Sequence, residues 1–105
     1  MKYKAIRDRI PEYMNVIDKN RVSRVIDAQF AKLLEEKIDE EVAEYKESKS
    51  KEEMGDILEV LFRIIQMNGW TLDEVLDIMD EKRERNGGFE NNLALLMRKE
   101  GEIDA

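Results

Sequence analysis

The chain has no cysteine, no histidine and a single proline in 105 residues. Without thiols there is no disulfide and no thiolate metal site, a composition compatible with a reducing cytoplasm. Without imidazole as well, any metal site must be built from oxygen. No apolar run approaches the roughly 20 residues of a membrane span, and no signal-peptide pattern opens the chain. Positive charge is scarce outside the start. Residues 1–26 hold seven Lys/Arg against three Asp/Glu, residues 27–67 six against twelve, and residues 68–105 five against ten, for a net charge of −7. Such a surface repels a nucleic-acid backbone, whose non-specific affinity comes from Lys and Arg on phosphates, so polymeric DNA or RNA is not an expected partner.

What is present is 42% hydrophobic and 41% charged residues, a globular and helical balance. One domain over 1–105 is expected, with 1–26 as a basic N-terminal arm and 99–105 as a frayed tail. Phe30, Leu34, Ile38, Val42 and Tyr45 recur at helical spacing, which predicts a helix from Ala28 to about Lys46 with Asp27 as its cap. Met54, Ile57, Leu58, Leu61, Ile64 and Ile65 predict a second between Ser50 and Met67, stopped by Asn68-Gly69. Thr71-Leu72-Asp73-Glu74 reads as a capping box opening a third, through Val75, Leu76 and Met79 to near Gly87-Gly88. Upstream, Pro11 suits a short helix through Met14, and Val22 to Ile26 reads as extended or irregular. The fold class is all-α.

Residues 35–56 carry ten acidic side chains in 22 positions. On a wheel of about 100° per residue with Ile38 at zero, the apolar arc of the first helix runs from about −80° to about +40°, and Glu41 falls inside it near about −60°. Glu44, near about −120°, also points to the side expected to be buried, whereas Glu40 falls on the far face. On the second helix Glu53 lies inside the apolar arc and Asp56 at its edge. Folding the two helices into an antiparallel hairpin about Glu47-Ser48-Lys49-Ser50 puts Glu41 level with Asp56 and Glu44 level with Glu53. Four carboxylates are therefore expected to meet between the helices. Two carboxylates about 5 Å apart repel by roughly 3 kcal/mol at an effective dielectric near 20, so protons or cations must neutralise the group. Oxygen-only ligands select a hard ion, magnesium first and manganese second, and magnesium commonly completes its shell with substrate phosphates.

Plainer readings stand beside this one. Glu53 is third after Ser50 and fits as a capping-box partner. Glu41 and Glu44 fit as boundary residues pairing with Lys37 or Lys46 on a solvated face. The coincidence of four positions at one level favours the metal site. In KRERNGGFE, residues 82–90, Lys82, Arg83 and Arg85 suit phosphates and Gly87-Gly88 a close backbone approach, although cations and glycine also favour a helix C-terminus. In IRDRIPE, residues 6–12, Arg7 and Arg9 have Asp8, Glu12 and the acidic helices as partners. Met54, Met67 and Met79 read as core filler and Trp70 as a packed corner.

Lys37-x-x-Glu40-Glu41-x-x-Glu44 followed by Glu53-Met-Gly-Asp56 resembles the KxxEExxE and ExxD signature of the MazG-like, all-α nucleoside triphosphate pyrophosphohydrolases. YKAIRDRIPE at 3–12, SRVID at 23–27 and EKRERNGGFE at 81–90 are similar to the small branch called phosphoribosyl-ATP pyrophosphohydrolase-like. The resemblance implies helix bundles assembling into homodimers or homotetramers, magnesium dependence, and cleavage of a nucleotide to its monophosphate and pyrophosphate. It implies Glu41, Glu44, Glu53 and Asp56 as metal ligands, the four that the wheels select. It further implies Glu40 in water activation or ligand support, and Lys37, Lys82, Arg83 and Arg85 on phosphates, with Arg7 added from the basic arm. Eight residues separate Glu44 from Glu53, where the family usually has about a dozen or more, which sets Glu53 close to the start of its helix. The expectation is a magnesium-dependent nucleotide pyrophosphohydrolase. Its alternatives are phosphoribosyl-ATP hydrolysis and a non-catalytic helical oligomerisation or regulatory module.

Overall fold

The computed structural model describes residues 2–98, so the tail at 99–105 lies outside the described residues. Every regular element among the described residues is helical. A 3-10 turn at Ile10–Tyr13 carries Pro11 in its first turn, where a missing N–H costs nothing. The single turn α1 (Val16–Lys19) is capped by Asn15, whose side chain accepts from the Asp18 N–H at 2.8 Å. Periodicity does not announce α1, because four residues are too few to display a period.

The first long helix, α2, runs Asp27–Ser48. Its half-in residue is Ile26 rather than Asp27: the Ile26 carbonyl already accepts from Gln29 and Phe30 N–H, and no side chain caps the end. Asp27 instead contributes its charge to the positive end of the helix from within the first turn. Helix α3 (Lys51–Met67) begins as the sequence indicates, with Ser50 Oγ accepting from Glu53 N–H at 3.3 Å. Asn68 closes it and Gly69 turns the chain at φ 77°, a conformation costly to residues bearing a Cβ. The capping box then opens α4 (Leu72–Asn86): Glu74 N–H donates to Thr71 Oγ1 and Thr71 N–H to Glu74 Oε1, both at 3.1 Å.

Helices α2 and α3 pack against each other as the expected hairpin. Only Lys49 and Ser50 separate them. Lys49 adopts the left-handed conformation at φ 55°, donates its N–H to the Tyr45 carbonyl at 2.7 Å, and holds its ammonium 5.5 Å from the Tyr45 ring. Between the helices Leu34 and Val60 are buried together with Ala5 of the N-terminal arm, and Phe30, Leu33, Ile38, Ile64 and Met67 pack around them. Ala5 thus fastens the arm to the hairpin. The broad apolar arc of α3 exceeds what this core uses, since Met54, Leu58 and Leu61 remain exposed. The chain divides into a unit ending at Val75, which holds the hairpin, and a second beginning at Leu76, which holds most of α4. No helix among the described residues is long and apolar enough to cross a membrane.

Candidate metal centre

The hairpin register brings Glu41 of α2 together with Glu53 and Asp56 of α3, one carboxylate oxygen from each lying within 4.8 Å of the others. Glu41 is only 6% exposed. Its Oε1 lies 3.4 Å from Lys37 Nζ, and its Oε2 is buried with no hydrogen-bond partner. Glu53 Oε2 is likewise buried and unpartnered. Native interiors rarely leave such atoms unsatisfied, so two in one group call for neutralisation, by a proton shared between the carboxylates or by a cation.

Glu53 does not complete a capping box. Ser50 caps the Glu53 N–H, but the Ser50 N–H is taken by Ser48 Oγ at 3.3 Å, and the Glu53 carboxylate turns inward instead. Removal from water, and then the neighbouring Glu41 and Glu44 carboxylates, push its pKa up to about 7 from 4.5. A proton there would let Glu53 donate to one of those neighbours, which is how an acidic group can relieve itself when no cation is near.

Glu44 itself is exposed, against the expectation that it would face the buried side. The helix α3 covers only part of the α2 arc, and a residue at the edge of that arc opens to solvent. Glu44 therefore flanks Glu53 rather than joining the inner three. Asp56 is held by Arg7 at 2.7 Å, with side chains 31% and 56% exposed respectively.

Glu40 departs from the wheel in the opposite sense. It is half-buried, because the N-terminal arm covers the face that a two-helix construction leaves open. Lys37 bonds it at 2.8 Å and Lys4 at 3.0 Å. Those two bonds, Lys37 first, lower its pKa against the small effect of burial. For Lys37 partial burial acts to lower the pKa, and the bonds to Glu40 and Glu41 outweigh it, so the ammonium is held charged. Lys4 was not among the expected site residues. The excess of positive charge in residues 1–26 was its one sequence signal. Lys82, Arg83 and Arg85 belong to the second unit, on the last turns of α4, where all three are exposed and Arg83 bonds Glu90.

The donor set is oxygen only, it comes from two rigid helices, and two of its buried atoms lack partners. These residues fit a hard divalent cation, with Glu41, Glu53 and Asp56 as the inner donors and Glu44 at the margin. No family model, no curated protein and no solved structure matches the chain.

Proposed function

We propose that the protein is a magnesium-dependent nucleotide pyrophosphohydrolase of the MazG-like kind, releasing pyrophosphate and a nucleoside monophosphate from a nucleoside triphosphate. The observation that carries this reading is the pair of orphaned buried oxygens, Glu41 Oε2 and Glu53 Oε2, in a group that already contains Asp56. Magnesium or manganese held there supplies, when bound, charge neutralisation and polarisation of the phosphoryl group. The remaining work falls to the chain's own side chains. Lys37, kept charged by Glu40 and Glu41, neutralises phosphate oxygens beside the carboxylates. Arg7, more than half exposed on its ion pair with Asp56, would exchange that pairing for the leaving pyrophosphate. Glu40 is better suited to orienting Lys37 than to taking a proton, because two ammonium groups hold it ionised and weakly basic.

The proposal includes self-association. Met54, Leu58, Leu61 and Ile65 follow one another at steps of four, three and four residues, the seam pattern of paired helices. Leu58, at the middle of that seam, is 61% exposed. A second copy offering the same stripe would bury it in a homodimer, or two such pairs in a homotetramer.

One observation favours the rival reading of a non-catalytic helical module: Arg7 and Lys37 already neutralise part of the acidic group from within the chain. A direct assay separates the two. Purified protein with magnesium is offered a panel of canonical, deoxy and damaged nucleoside triphosphates, and pyrophosphate is measured. Release that Glu41→Gln abolishes while helical content stays intact supports the enzyme. No release from any member of the panel overturns it.

A further inference from the structure

We infer that the crevice between the N-terminal segment and α2 receives the base and ribose of the nucleotide, with the Tyr3 ring against the base; this deepens the pyrophosphohydrolase reading and rests on it. The crevice has a volume of about 370 Å³, within the range of roughly 300–1,000 Å³ common to small-ligand sites. Its apolar lining comes from Ala5 and Leu33, and Tyr3, a residue 40% exposed, also lines it and so retains surface for a ligand. Flat aromatic heterocycles bind such rings by stacking, whichever base they carry. Lys2 and Glu36 also line it, a donor and an acceptor for the polar edge of a base or the hydroxyls of a sugar.

The crevice is not isolated from the acidic centre. Lys37 and Glu40 both line it, and Lys37 also reaches Glu41, one of the three converging carboxylates. A single side chain therefore touches both places. The ligand that fits this pairing has a flat, partly apolar part for the crevice and a polyanionic part for the lysines and the carboxylate-bound cation. A nucleoside triphosphate has both. An inorganic polyphosphate has only the second and would leave Tyr3 unused.

The test is a binding titration with magnesium present, using non-hydrolysable α,β-imido nucleoside triphosphates of several bases and, separately, inorganic tripolyphosphate. Wild type, Tyr3→Ala and Tyr3→Phe are compared, with circular dichroism confirming equal helical content. Loss of a base–aromatic stack weakens nucleotide binding about tenfold in Tyr3→Ala, whereas Tyr3→Phe keeps the ring and the affinity. Tripolyphosphate binds all three proteins alike. The inference is overturned if Tyr3→Ala binds nucleotides as tightly as wild type, if it loses tripolyphosphate in parallel, or if wild type binds no nucleotide. Tyr3-dependent nucleotide binding without pyrophosphate release from the hydrolysable compounds would uphold the crevice and sink the hydrolase reading instead.

Discussion

Glu41→Gln separates what the acidic group does for stability from what it does for a metal. Glu41 is buried with one oxygen unpartnered, a defect that costs about 1–3 kcal/mol when a polar atom is removed from water without compensation. Glutamine keeps the volume, removes a negative charge from beside Glu53 and Asp56, and offers them an N–H donor. The variant gives up the longer of the two Lys37 contacts, 3.4 Å, while the 2.8 Å bond to Glu40 remains, so that loss is about 0.5 kcal/mol. The net expectation in chelator is a gain of about 1 kcal/mol, or a melting temperature about 4–8 °C higher for a chain of this size. Magnesium reverses the order. At a hundredfold above its dissociation constant it adds about 2.7 kcal/mol to wild type by mass action, and a site missing one inner ligand recovers far less. Thermal melts in chelator, in magnesium and in sodium chloride of matched ionic strength measure all of this. The reasoning is refuted if Glu41→Gln melts below wild type in chelator, or if magnesium raises both proteins equally.

The same geometry sets the pH dependence and the response to substitution elsewhere. Glu53 has a folded-state pKa of about 7 against 4.5 ordinarily, so the folded protein binds its proton more tightly than the unfolded chain does. Its contribution is full below about pH 4.5 and lost as pH rises through 7: metal-free melting temperature should fall across that window, and Glu53→Gln should flatten the fall. The lowered pKa of Glu40 gives the opposite slope, confined to pH below its ordinary 4.5, so a titration curve distinguishes the two. Arg7→Gln breaks a partly exposed ion pair and should cost about 1 kcal/mol or less in stability, while KM for the triphosphate rises; an unchanged KM would remove Arg7 from the site. Ser50→Ala deletes the α3 cap at a cost of about 1 kcal/mol by denaturant titration, and the magnesium-induced shift should shrink with it because Glu53 sits in that first turn. Leu58→Glu places a charge in the middle of the exposed seam and should convert a dimer to monomer in sedimentation; a wild type that is already monomeric at micromolar concentration refutes the assembly.

The hairpin was legible because two strong helical periods flank a short polar tip, and the burial of Glu41 followed from its angle alone. What the wheels missed has a common cause. They treat each helix as having one partner, so they give Glu44 a covered position that α3 does not reach, and Glu40 an open face that the arm in fact covers. The contact between Lys4 and Glu40 spans 36 residues of sequence, and no periodicity encodes a contact of that kind. The cap of α2 shifted by one residue because Ile26 uses its backbone carbonyl where Asp27 offered a more obvious side chain.

The two-residue tip at Lys49-Ser50 acts as a ruler. With a core whose buried apolar members among the described residues are Ala5, Leu34 and Val60, packing alone is a weak guide to how far α3 slides or rotates along α2. The covalent link does that instead: Glu41 and Asp56 are counted off from a fixed origin. One residue added between Ser50 and Glu53 would turn Glu53 and Asp56 by about 100° and carry both away from Glu41, while leaving composition, charge and helical content almost untouched. Tolerance to change in this protein should therefore be inverted from the usual pattern, with its interior side chains freer to vary than the length of the two-residue link between α2 and α3.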